Sequence, residues 1–133
     1  MGRTRTSTSA GIVLDAGALI ALDRGDKRMI ALLQRALTQR RAFRVPAGVV
    51  GQVWRDGRAQ VTLARFLRSE GVEVIPLDEQ LARSCGELCG AADSRDIVDA
   101  SVVILARKRR DAIVTSDPDD LRRLDPGAHI IPI

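Results

Sequence analysis

Five short runs of mostly apolar residues, many of them β-branched, constrain this chain most: 11–14, 43–46, 72–77, 112–115 and 129–132. Each is too short to be a buried helix, and turn or charged residues bound it, so each reads as a strand buried on both faces. Between them lie stretches of helical period, expected over 16–22, 26–40, 47–54, 58–70, 78–92, 96–110 and 118–124. In the second of these, Ile30, Leu33 and Leu37 form an apolar face opposite Arg28, Arg35 and Gln39. Strands alternating with helices predict an α/β fold, a parallel sheet covered on both sides. Phe43, Trp54 and Phe66 are the only aromatic residues, so the core must be built of aliphatic side chains. There is no repeat, linker or low-complexity tract, and one domain is expected over 11–133. Residues 1–10 are polar and small, and are expected to fray.

Cys85 and Cys89 lie four apart with no histidine nearby, a poor zinc set, and read as small buried residues. The only histidine, His129, falls in the last apolar run and is expected to cap or pack there. The basic start is followed by an apolar run broken at Asp15, without a cleavage pattern, which argues against a signal peptide. No apolar stretch is long enough to span a membrane, so no membrane partner is expected and the cytoplasm is the default location.

The chemistry lies in the carboxylates. In parallel α/β sheets ligands bind at the carboxyl ends of the strands. Two runs end there in aspartate, Ile12-Val13-Leu14-Asp15 and Ile113-Val114-Thr115-Ser116-Asp117. Asp96 and Asp99, three apart, share a helix face near its start. Asp15, Asp96, Asp117 and Asp119 each suit a helix N-cap as well. Asp99 instead lies inside a helix and before an apolar stretch, where a charge needs a partner. Gathered acids repel one another unless a cation neutralises them, and hard oxygen ligands suit Mg²⁺ or Mn²⁺. Such an ion activates water and stabilises charge on a phosphate, which makes phosphodiester hydrolysis the natural reaction.

The stretches VLDAGALIALDRGD, VPAGVVGQVWRDG and DIVDASVVILARKRRDAIVTSDPDDLRRL, in this order, resemble the PIN-domain family and, within it, VapC-type toxins of bacterial toxin–antitoxin pairs. The resemblance implies a three-layer sandwich, with helices flanking a short parallel sheet, and a magnesium-dependent endoribonuclease. By position, Asp15 resembles the family's first acid. Asp99 resembles the third, 18 residues before Asp117, the aspartate of the Thr-x-Asp motif. These three are the expected catalytic and metal-binding residues, with Asp96 and Asp119 as further metal candidates. Thr115 resembles the hydroxyl that orients a carboxylate or a water. One position departs: where the family carries a second acid, usually glutamate, this chain has Gln52. Glutamine offers a cation only a carbonyl oxygen, and Asp96 is expected to restore the lost charge.

The resemblance also implies an RNA substrate, a cognate VapB-type antitoxin protein and a homodimer. Lysine and arginine exceed aspartate and glutamate by 21 to 17, and arginine's planar fork suits phosphate. Arg35, Arg40, Arg41, Arg44, Arg55, Arg58, Arg65, Arg68 and the run 107–110 are candidate phosphate contacts. With so few aromatics, recognition by RNA shape is expected over stacking on bases. Other classes fit less well. A haloacid-type phosphatase wants a second aspartate two residues beyond Asp15, where Gly17 stands, and the acidic pair and lysine of a phosphate receiver are not visible. A weakened PIN-like domain that binds RNA or a protein without cleavage is the alternative, and Gln52 motivates it.

Overall fold

The computed structural model describes residues 10–133; the expectation of a frayed segment over 1–10 falls, for residues 1–9, outside the described residues. Five strands and seven helices alternate: β1 (Ile12–Leu14), α1 (Ala16–Asp23), α2 (Lys27–Thr38), β2 (Phe43–Pro46), α3 (Ala47–Val53), α4 (Val61–Leu67), β3 (Val72–Ile75), α5 (Glu79–Ala92), α6 (Ile97–Arg109), β4 (Ala112–Thr115), α7 (Pro118–Leu124) and β5 (Ile130–Pro132). The strands form one sheet in the order β3-β2-β1-β4-β5, and every pair is parallel. This is the expected α/β sandwich of helices flanking a short parallel sheet.

The order follows from the chain's route. From β1 it builds outward to β2 and β3, then returns across the sheet to lay β4 on the other side of β1. The gap between the carboxyl ends of β1 and β4 is therefore the topological switch point, where open α/β sheets bind ligands. The central strands are apolar because both faces are covered: β1 and β4 are buried throughout. Helix α6 packs on β1 and β2 on one side and on α5 on the other, which is why it is apolar almost all round. Cys85 and Cys89 of α5 are buried free thiols against Ala100. Phe43 meets Phe66 edge to face at 5.7 Å between ring centroids, the one aromatic pair of an otherwise aliphatic core.

Three sequence expectations are corrected. Helix α2 buries Met29, Leu33 and Ala36 and leaves Ile30 and Leu37 exposed. Two overlapping stripes share Leu33, and the cap bond from Met29 N–H to Asp26 Oδ1 (2.9 Å) fixes the phase that turns Met29 inward. Helix α4 starts at Val61, not 58, because residues 55–60 form a turn. There the Gln60 amide oxygen accepts from Arg55 and Asp56 N–H, and Asp56 accepts from Arg58 N–H. His129 precedes β5 with its side chain exposed, neither capping nor packed, while its carbonyl accepts from Ile113 N–H at 2.8 Å.

At the amino edge of the sheet a buried ion pair ties three strands together. Asp111, just before β4, accepts from Gly11 N–H at 2.9 Å and from Arg44 of β2 at 2.6 Å. Its side chain is 1% exposed. Any side chain at position 11 would run into the Arg44 guanidinium.

Candidate active site

The opposite, carboxyl edge is acidic. β1 and β4 pair with Leu14 beside Val114, which sets Asp15 level with Thr115 across the switch point. Asp15 is buried and caps α1, accepting from Ala18 N–H at 3.0 Å. Burial pushes its carboxyl above the ordinary range, while hydrogen bonds from Thr115 and from the Ala18 and Gly17 N–H groups oppose the rise. The fully buried Thr115 hydroxyl also accepts from Asp117 N–H at 2.8 Å, so one side chain links both strand ends.

Asp99 enters from α6, in its first turn. Asp96 caps that helix, accepting from Asp99 N–H at 2.9 Å. The Asp99 carboxyl is pushed up to about 7, first by its own burial, then by the charge and hydrogen bond of Asp96, then by the charges of Asp15 and Asp120. Segments far apart in sequence thus meet in one field: Asp15 after β1, Asp96 and Asp99 at the head of α6, and Asp120 in the first turn of α7.

Asp117 stands at the margin of this group. It is exposed, holds the N-cap position of α7 without a side-chain cap bond, and meets the others through Asp120. A hydrogen bond to the Asp120 side chain, then desolvation and the charges of Asp120 and Asp119, raise its carboxyl above the ordinary range. Sequence reasoning passed over Asp120. Its signal was the three-residue step from Asp117, which places both on one helix face. The neighbouring Asp119 is 91% exposed and lies 3.8 Å from Arg122, and its charge acts on Asp117. Gln52 is exposed on α3, one turn beyond Gly48, where an added Cβ would press on Val98 at 3.1 Å. That turn relation sets Gln52 on the side of α3 that faces the head of α6.

No arginine or lysine among the described residues forms an ion pair with Asp15, Asp96, Asp99, Asp117 or Asp120. An all-oxygen donor set of uncompensated charge fits a hard divalent cation in its chemistry. In arrangement the cluster is open: among the described residues no three His, Cys, Asp or Glu side chains already stand together as a finished metal site.

Several arginines expected to meet phosphate are engaged elsewhere. Arg44 is held by Asp111 at the far edge of the sheet, Arg55 folds back onto the Gly51 and Trp54 carbonyls, and Arg107 bonds Asp125 at 3.3 Å.

The chain belongs to the PIN domain family, whose model matches residues 12–126. No curated protein matches it in sequence. Among solved structures it is similar in fold to VapBC2 of Rickettsia felis bound to a promoter DNA fragment, with a TM-score of 0.68 at 15% identity, covering 91% of this chain and 97% of that one. It is also similar to VapC20 of Mycobacterium tuberculosis, a sarcin–ricin loop cleaving toxin, with a TM-score of 0.60 at 21% identity, covering 77% and 87%. A third similar fold is FitAcB of Neisseria gonorrhoeae, with a TM-score of 0.63 at 16% identity, covering 90% and 96%.

Proposed function

We propose that this PIN domain is a divalent-cation-dependent endoribonuclease and the toxin of a VapBC-type toxin–antitoxin pair. The observation that supports it most is the Asp99 carboxyl, pushed up to about 7 first by burial and then by the acids Asp96, Asp15 and Asp120, with no cationic side chain among the described residues paired to any of them. A folded chain tolerates such a cluster when a cation completes it. Asp15, Asp99 and Asp120, with Asp117 at the rim, would hold Mg²⁺ or Mn²⁺, and Asp96 adds the charge that Gln52 does not supply. The ion, when bound, lowers the pKa of a coordinated water and stabilises charge on the phosphate. Thr115 fixes the Asp15 carboxylate and the Asp117 backbone relative to each other, so the two strand-end acids keep their spacing.

The partners follow from the relatives. The Rickettsia structure is a VapBC2 assembly on promoter DNA, and the Mycobacterium protein is a sarcin–ricin loop cleaving toxin. For this chain they favour a VapB-type protein partner and an RNA substrate; the homodimer and the cytoplasmic location belong to the same reading and rest on the family resemblance alone. The test is cleavage of labelled RNA by the purified protein with and without Mg²⁺. Cleavage should need the ion and be lost in Asp15→Asn and Asp99→Asn. Cleavage that survives chelation, or persists in both variants, would refute the reading. Gln52 favours a second reading, a domain that binds RNA without cutting it; binding without cleavage at saturating Mn²⁺ would establish that one.

A further inference from the structure

Two hollows lie along α2 and adjoin at Arg28, which lines both, so that together they mark out a trough. The first, of about 550 Å³, opens beside the acidic edge and is lined by Gly17, Ser116, Arg24, Arg28 and Ile133 among others. The second, of about 490 Å³, runs to the opposite edge of the sheet between Arg28, Leu32, Arg35, Arg41 and Ile131. Ile131 and Ile133 are two apart on the edge strand and its continuation, so their side chains lie on the same face and make a common floor. The continuation is real: Ile133 N–H donates to the Thr115 carbonyl at 2.9 Å. Helix α2, about 18 Å long at 1.5 Å per residue, is the wall.

The wall carries more arginine than acid: the one acidic side chain lining it among the described residues, Asp26, caps α2 by accepting from Met29 N–H. Arg24, Arg28 and Arg35 are exposed, and none of them forms an ion pair with any carboxylate among the described residues. Arg41 donates its Nε to the Ala10 carbonyl at 2.7 Å, leaving the rest of its fork toward the trough. Each fork can take a phosphate through two hydrogen bonds, and its plane can stack on a base. The geometry points to a track for single-stranded RNA, in place of the shape recognition expected from the scarcity of aromatics, in which Arg28 and Arg35 seat successive phosphates and lead the strand to the carboxylates beyond Gly17 and Ser116. An acidic peptide would find the same arginines but would end against the acidic cluster. A polynucleotide gains from that end, because a phosphodiester must reach the cluster to be cut. This inference rests on the nuclease reading above.

The test separates binding from cleavage. Fluorescence anisotropy of a labelled single-stranded RNA oligonucleotide, measured in EDTA, reports binding alone. The double variant Arg28→Gln/Arg35→Gln should weaken binding about tenfold and lower the slope of log Kd against log salt by roughly 1.4, two contacts at about 0.7 each. Arg83→Gln, on α5, should change neither. An unchanged Kd and slope in the double variant, or an equal loss in Arg83→Gln, overturns the track. RNA affinity kept while polyglutamate binding is lost overturns it in favour of an acidic peptide. If wild-type protein binds RNA through Arg28 and Arg35 but never cleaves it with Mg²⁺, the track stands and the nuclease reading falls. Cleavage alongside an unchanged Kd sinks the track alone.

Discussion

Gly17 lies so close to Ser116 that a β-carbon on the glycine would overlap the serine side chain. The first turn of α1 and the turn after β4 can approach only because one of them has no side chain. That approach sets the separation of Asp15 from Asp117. Gly17→Ala should destabilise the fold by about 1–3 kcal/mol, the usual cost of overpacking, and should reduce cleavage beyond what stability explains. Thermal melts and initial rates on the same samples check it. Adding Ser116→Gly should recover part of both losses, and no recovery would discount the steric account.

The raised Asp99 carboxyl predicts a pH dependence with a definite sign. A group that holds its proton more tightly when folded stabilises the fold while protonated, and that contribution is lost as pH rises through the folded value. Without metal, stability should fall between about pH 4 and about pH 7 and level off above. The full shift would be worth about 4 kcal/mol, and partial exposure reduces the expected change to roughly 1–2 kcal/mol. Asp99→Asn should flatten the profile, and Mg²⁺ should stabilise wild type more at pH 8 than at pH 6. A wild-type profile that is flat, or that rises over this range, would remove the basis for the cluster's charge.

Asp120 and Asp119 are neighbours in sequence with different surroundings. Asp120→Asn should weaken Mg²⁺ binding about tenfold, as loss of a ligand or of a group that orients one does. Asp119→Asn should leave it within about twofold, since an exposed charge paired at a surface contributes little. Isothermal titration with Mg²⁺ or Mn²⁺ decides between them, and the reverse ranking would return Asp119 to the site.

Gln52→Glu should tighten divalent binding and raise the cleavage rate, since it puts a charged oxygen on the side of α3 that faces the head of α6. A variant that binds metal no better than wild type would show that Asp96 already supplies the charge. Asp96→Asn in the wild-type background completes the comparison.

The buried pair at the other edge makes a purely structural prediction. Asp111→Ala leaves Arg44 with only the longer contact to the exposed Glu73, at 3.9 Å, and should cost about 3–5 kcal/mol in chemical denaturation. The Arg44→Met/Asp111→Leu double variant should be less damaging than the single change, because it removes both buried charges. Equal damage would mean that the Gly11 hydrogen bond, not the ion pair, dominates.

How much of this could be read from the residues depended on how local each signal was. All five strands were legible because β-branched runs bounded by turns carry their own evidence, and Asp15, Asp99 and Asp117 could be singled out as candidates because strand ends and helix faces are sequence neighbourhoods. Asp120 was passed over because both it and Asp119 follow Pro118, and only the folded arrangement of α7 brings the Asp120 charge to bear on Asp99. The tie from Arg44 to Asp111 spans 67 positions, and nothing near either residue announces it. Arg44 consequently read as one more free surface cation. The phase of α2 failed for a related reason: two apolar stripes were equally good until a cap bond chose one.

The strand order has a consequence for the chain as it is made. β1 appears early in synthesis, yet its neighbour β4 and the acids of α6 and α7 lie in the last third of the sequence. An emerging polypeptide can fold its first helices on the ribosome while Asp15 has no company at all. On the nuclease reading proposed above, a product truncated before Asp96 would keep Asp15 but lack every acid of α6 and α7, and should bind no divalent cation at that strand end.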